Sequence, residues 1–130
     1  MRLLVHVEGQ TEETFVNEVL RDHLLAFGYY DVSARLVGNA RQRDHHGGAR
    51  SWPSVRQEII LRLKQDRSCL ATTMVDYYGL PQHGEKAWPG RNTAASLIHS
   101  NKALHVEQAL LQDIVAVLGV EAANRFIPFV

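Results

Sequence analysis

The sequence is poor in cysteine, balanced in charge and free of long apolar runs. One cysteine, Cys69, cannot form an internal disulfide, which excludes a disulfide-stapled scaffold. Fourteen Lys and Arg offset 14 Asp and Glu, so no bulk electrostatic attraction to nucleic acid exists and any such contact must come from a local patch. No apolar stretch approaches the roughly 18 residues that a membrane helix needs, and no signal-like start is present; the expected location is the cytoplasm. Repeats, low-complexity tracts and linkers are missing. So is a Gly-x-x-x-x-Gly-Lys-Ser/Thr run, so an ATPase activity would have to reside in another chain. What remains is 130 residues with an apolar share of 45%, which reads as one domain over 1–130, long enough to bury a core.

The most informative stretch is the first. The apolar residues Leu3, Leu4, Val5 and Val7 break into Glu8-Gly9-Gln10-Thr11-Glu12-Glu13. That pattern predicts a buried strand, a glycine turn and a helix start, with Gly9 permitting a tight or left-handed turn and Thr11 as the cap. Glu8 then stands at the strand's C-terminal edge, and the Glu8 to Glu12 spacing turns both acids toward the crevice where open α/β sheets bind ligands. The plainer reading makes Glu12 and Glu13 acids that simply suit a helix N-terminus, and Glu13 fits that reading best.

Along the chain, Phe15, Val16, Val19, Leu20, Leu24 and Phe27 recur at helical spacing, with Gly28 as a stop. Val32, Ala34 and Leu36 alternate as a half-buried strand near a sheet edge. Residues 38–51 have no apolar period and read as a long loop. There, Arg41, Arg43, Gly47, Gly48 and Arg50 suit a phosphate or similar anion better than the adjacent His45 and His46 suit a metal, with a solvated polar loop as the alternative. Pro53, with Ser54 and Gln57 as a capping pair, opens a helix whose buried stripe is Val55, Ile59 and Leu63. Trp52 reads as a packing anchor rather than a base-stacking platform, because no other aromatic is near it in sequence.

Leu70 to Val75 reads as a second central strand, beside which Cys69 is a core residue rather than a nucleophile. Asp76 follows it as Glu8 follows the first. Two acids delivered to one sheet edge from distant positions suit a divalent ion, while Asp76 capping the next turn is the competing reading. Residues 82–100, rich in Gly, Pro, Asn, Ser and His, read as a lid or connection, with His99 and His105 at the surface. A third helix is predicted over 102–118, with Val106, Leu110, Leu111, Ile114, Val117 and Leu118 on one side and Gly119 as the stop. A last strand is predicted from Arg125. The order βαβαβαβ implies an α/β fold: three layers, a mostly parallel sheet of about four strands, and helices on both faces.

The runs Val7-Glu8-Gly9-Gln10-Thr11-Glu12-Glu13-Thr14-Phe15-Val16 and Thr72-Thr73-Met74-Val75-Asp76-Tyr77-Tyr78-Gly79-Leu80-Pro81, with the Gly47-Gly48 loop and Trp52, resemble the DUF4276 family. That family is related to Toprim-fold proteins, the catalytic module of topoisomerases, primases and overcoming-lysogenization-defect nucleases. The resemblance implies a Toprim-like sheet and a site for Mg²⁺, with Mn²⁺ as the alternative ion. Glu8 matches the first Toprim glutamate, Glu12 the second acid of a Glu-x-x-x-Glu motif, and Asp76 the first acid of an Asp-x-Asp motif. Tyr78 stands where the second aspartate would be. The chain also ends at Val130, before a His-Glu-Phe-Glu segment common in the family, as expected of a truncated member.

Two functions compete. One is a Mg²⁺-dependent phosphoryl-transfer protein, a nuclease on DNA or RNA, with Glu8 and Asp76 catalytic, Glu8, Glu12 and Asp76 holding metal, and Arg41, Arg43 and Arg50 gripping the phosphate backbone. By the resemblance it would act beside a separate ATPase subunit in phage defence, with a homodimer left open. The other is a non-catalytic binding or regulatory subunit on the same scaffold. Divalent-independent association with a partner would mark the second.

Overall fold

A computed structural model describes residues 1–37 and 50–130. Its centre is a four-stranded sheet built from β1 (Arg2–Val7), β2 (Asp31–Leu36), β3 (Cys69–Met74) and β4 (Phe126–Ile127). The order is β2-β1-β3-β4 and every neighbouring pair is parallel. The two most apolar strands therefore lie side by side at the centre, with Val7 opposite Met74, so both chains leave the sheet at the same edge. β2 is an edge strand, as its polar alternation predicts.

Alternation along β1 sorts the core into two layers. Leu3, Val5 and Val7 share a face with Val32, Leu36, Leu70 and Met74, and this face is closed by Val16, Leu20 and Leu24. The other face of β3 carries Ala71 beneath α3 (Trp52–Gln65) and α5 (His99–Leu118), which bury Val55, Ile59, Leu63, Val106, Leu110 and Ile114. Each fully buried aliphatic side chain of this size contributes about 1.5–3 kcal/mol. The arrangement is an α/β sandwich of three layers. Among the described residues, no helix is long and apolar enough to cross a membrane.

The first helical region departs from the predicted stripe. It runs through α1 (Gln10–Phe15), a π turn (Val16–Leu20) and α2 (Arg21–Leu25), and the Arg21 N–H donates to the Val16 carbonyl five residues back. The wider turn shifts the helical phase, so Val16 is buried while Phe15 (44% exposed), Val19 (56%) and Phe27 (70%) face outward. The cap differs too. Gly9, in extended backbone with φ −150°, is the residue before the helix, and Thr11 lies within the first turn without a capping bond. Gly28, at φ 98°, does stop the helix as expected.

Two further boundaries move, and one segment proves to be part of the core. α3 begins at Trp52 with Ser51 before it, so Ser54 lies inside the helix and the Ser54/Gln57 pair caps nothing. α5 begins at His99 rather than Lys102, and Val117 is exposed. Residues 82–100 are not a lid: Trp88 and Ala94 are core, and the Trp88 ring centroid lies 5.0 Å from that of Trp52. Trp52 is the packing anchor expected, but with an aromatic neighbour that linear spacing hid. Gly90 explains the close approach. At φ 78° it precedes α4 (Arg91–Ala94), and a Cβ there would fall 2.8 Å from that of Ala109 on α5.

The short final strand is reinforced from outside its ladder. Arg125 donates to the carbonyls of Leu63, Asp66 and Cys69, tying the end of α3 to the start of β3. The Thr73 hydroxyl donates to the Phe129 carbonyl and accepts from the Phe129 N–H, both at 2.9 Å. Cys69 is fully buried and burial pushes its thiol pKa up, in keeping with a core role.

Candidate functional site

β1 and β3 deliver their next residues to one place because they are paired in parallel. Glu8 leaves the end of β1, and its Oε2 accepts from the Asp76 backbone N–H at 3.1 Å. Asp76, after β3, accepts at Oδ1 from the Tyr78 N–H at 3.2 Å, and its carbonyl accepts from the Gly79 N–H at 3.0 Å. Asp76 is thus both an acid at the sheet edge and the cap of a 3₁₀ turn over Tyr77–Gly79. The two sequence readings of Asp76 coexist.

Glu12 faces the same edge one helical turn on. A Cβ on Gly9 would lie 3.3 Å from Glu12 Oε2, so the carboxylate folds back over the glycine backbone. Burial pushes the Glu8 pKa up; the Asp76 N–H opposes this, and the charges of Asp76 and Glu12 add to it. Among the described residues, no Lys, Arg or His ion-pairs with Glu8, Glu12 or Asp76. Nor do any three His, Cys, Asp or Glu side chains among them stand close enough to hold a metal as they are placed.

A family model described as a domain of unknown function, DUF4276, matches residues 7–130. The chain belongs to the DUF4276 family. No curated protein and no solved structure gives a significant match. In this DUF4276 protein the match takes in Glu8, Glu12 and Asp76.

The turn that carries Asp76 is held from beneath by a residue that the sequence reading missed. Arg91 is 5% exposed; its Nε donates to the Tyr77 carbonyl and its Nη1 to the Tyr77 hydroxyl, both at 2.9 Å. The guanidinium also lies over the Tyr77 ring, 3.9 Å from its centroid. With the Gln82 amide oxygen turned toward it, Gln82 accepts from Arg91 Nη1 and Nη2 at 3.1 and 3.0 Å. The available signal was weak, a cation directly after Trp88-Pro89-Gly90.

Tyr78, where a second aspartate was expected, is 64% exposed, and its hydroxyl is 3.5 Å from His99 Nδ1. Lys102 Nζ stands 5.7 Å from the Tyr77 ring centroid, so a cation flanks Tyr77 on the α5 side. His99 is exposed as expected, whereas His105 is half-buried and hydrogen-bonded to Thr93. Arg50 is half-buried, and its carbonyl accepts from Trp88 Nε1 at 2.6 Å. Arg41, Arg43, His45, His46, Gly47 and Gly48 lie outside the described residues.

Proposed function

We propose that this DUF4276 protein is a Toprim-like, Mg²⁺-dependent phosphoryl-transfer protein, a nuclease acting on DNA or RNA, that works with a separate ATPase subunit in phage defence in the cytoplasm. One observation supports this most. Glu8 and Asp76 are gathered at one sheet edge beside Glu12 and, among the described residues, no cation is paired to them. Burial and the neighbouring charges of Asp76 and Glu12 raise the energy of the Glu8 carboxylate, and a hard divalent ion with oxygen ligands relieves that cost.

The donor chemistry fits such an ion. Glu8 and Asp76 each commit one oxygen to a backbone N–H, which orients the carboxylate and leaves the second oxygen available. Glu8, Glu12 and Asp76 would hold Mg²⁺ or Mn²⁺. When bound, such an ion supplies charge stabilisation to a phosphoryl group and lowers the pKa of water. Lys102 and His99, with Arg50 and the arginines at 41 and 43, would orient the phosphate backbone. Arg91 is a positioning residue: it fixes Tyr77 and so the N–H of Tyr78 that aligns Asp76.

A second reading, a non-catalytic binding subunit, is favoured by Tyr78. A neutral phenol does not replace a carboxylate as a metal ligand, and the placed acids form no three-member group. Calorimetric titration of Mg²⁺ and Mn²⁺, paired with cleavage assays on single- and double-stranded DNA and RNA, separates the two. The nuclease reading requires cation binding and cleavage that Glu8→Gln abolishes. Divalent-independent partner binding without cleavage would establish the other.

A further inference from the structure

The two outer strands of the sheet are not alike. β4 has two residues and is followed at once by Pro128, which has no N–H to offer a further strand. β2 runs for six residues in unbroken parallel register with β1 and contains no proline. Among the described residues, nothing pairs with its other side. A regular strand left open in this way is a template for another strand.

The ladder shows which groups β2 presents outward. The Val37 N–H donates to the Val7 carbonyl, while the Arg2 N–H turns the other way, to the Ser68 carbonyl on the β3 side. Main-chain direction alternates along a strand, so Ser33 and Arg35 bond to β1, and Val32 and Ala34 aim their N–H and C=O groups outward. Side chains alternate as well. Val32 and Ala34 join the cluster under the first helical region, and Asp31, Ser33 and Arg35 lie on the opposite face. The Asp31 and Arg35 side chains are 33% and 44% exposed. Among the described residues both keep donors or acceptors to spare: Asp31 meets Arg2 Nε through Oδ2 alone, at 3.4 Å, and Arg35 gives Glu58 one hydrogen bond, from Nη2 at 2.9 Å.

A two-fold axis through Ser33 uses all of these features. In antiparallel pairing about that residue, Val32 stands opposite Ala34 of a second copy, and the outward groups of the two copies exchange about four hydrogen bonds. Asp31 stands opposite Arg35 of the second copy, and Arg35 opposite its Asp31, in pairs whose side chains approach most closely. Serine meets serine at the axis, without bulk. Centring the axis on Val32 or Ala34 removes the charge match, because Asp31 then opposes Ser33 or Val37; centring it on Arg35 sets that residue against its own copy. A two-fold contact must be self-complementary, and this strand is so about Ser33. The axis runs normal to the sheet, so the first helical regions of both copies lie on one face, the layer in which Phe15 and Val19 are exposed.

We propose that β2 is a homodimer interface, to which a second copy of the chain adds its own β2 antiparallel and continues the sheet, with Ser33 at the two-fold axis. The Glu8 and Asp76 edges of the two copies then face opposite ends of the joined sheet, and the contact does not rest on the nuclease reading. Sedimentation velocity of the full chain up to about 200 μM should show a species of twice the 14.7 kDa chain mass. Asp31→Arg and Arg35→Asp should each weaken self-association tenfold or more, since each sets like charges opposite one another. Mixed one to one, the two variants should associate as tightly as the unmodified protein, because one then carries only cations at these positions and the other only anions. Ala34→Pro removes an outward N–H that no ladder bond uses, so it should fold normally by circular dichroism and stay monomeric. If that variant does not fold, the mixing experiment decides. The proposal is overturned if the unmodified protein is monomeric throughout, if folded Ala34→Pro dimerises like it, or if mixing the charge variants restores no association.

Discussion

His6 sets a pH dependence of stability that can be isolated from other titrations. The ring is fully buried, and desolvation lowers its pKa from 6.5 to about 4, a shift that the Thr72 hydrogen bond only partly opposes. In the unfolded chain the imidazole takes up its proton near pH 6.5; in the folded protein it does so only near 4. Between these values the unfolded state binds more protons, so stability falls as pH falls through that window. The linkage relation gives a loss of about 2 kcal/mol between pH 7.5 and 5, and about 3 kcal/mol below pH 4. For a domain of this size, 2 kcal/mol corresponds to roughly 6–8 °C in melting temperature. Glu58 and Asp66 do not mimic the effect. Against the upward push of burial, the Arg35 hydrogen bond and charge hold Glu58 low, and hydrogen bonds from Ser68 hold Asp66 low, so both lose their contributions below the ordinary carboxylate range. Glu8, whose pKa is raised, acts in the opposite sense and stabilises on protonation. Urea unfolding of the unmodified protein and of His6→Phe at pH 7.5 and 5 provides the assay. The variant should lose about 2 kcal/mol less than the unmodified protein between the two values. Equal losses, or a His6 ring that titrates near 6.5 by NMR, would refute the reasoning.

Glu8→Gln should melt at least as high as the unmodified protein at pH 7.5, because the amide oxygen still accepts from the Asp76 N–H while repulsion by Asp76 and Glu12 is gone; a clear drop in melting temperature would show that the acid edge is structural. Gly9→Ala should fold normally, since φ −150° suits any residue, yet weaken Mg²⁺ binding several-fold by displacing the Glu12 carboxylate; unchanged calorimetric affinity would remove Glu12 from the site. Arg91→Met should cost about 2–3 kcal/mol in urea unfolding through its lost charged hydrogen bonds to Tyr77, and Arg91→Lys should recover only part of this, because an ammonium cannot reproduce the fork. Trp52→Phe should cost about 1–2 kcal/mol by the same measurement, from its 2.6 Å bond to Asp113 and contact with Trp88.

The parts of this fold legible in the sequence are those in which one physical signal dominates. Leu3 to Val7 and Leu70 to Met74 are apolar enough to be central strands, and Val55, Ile59 and Leu63 keep a helical period that nothing disturbs. The first helix misled because periodicity assumes a constant turn. The π turn over Val16–Leu20 breaks that assumption, so Phe15 and Val19 satisfy the spacing and still face outward. Composition misled at 82–100: Pro, Gly and Ser suggested a surface connection, although Trp88, Arg91 and Ala94 carry the buried contacts. The ion-pair cluster over β1 and β2 left no linear signature, because Arg2, Arg35 and Arg62 meet Asp31, Asp66 and Glu58 only through strand register and the position of α3.

For Asp76, sequence alone offered a turn cap or a ligand as alternatives, yet the geometry makes them interdependent. The Asp76 carboxylate is oriented by the Tyr78 N–H, the Tyr77–Gly79 turn is seated by Arg91, and the backbone N–H of Asp76 in turn orients Glu8. Both acids are thus aligned by main-chain groups, which supply direction without neutralising charge. Arg91, the buried cation beneath that turn, spends its donors on Tyr77 and Gln82 instead of a carboxylate. Among the described residues the acids thus stay without an ion-pair partner, which is the arrangement that the proposed divalent-cation reading requires.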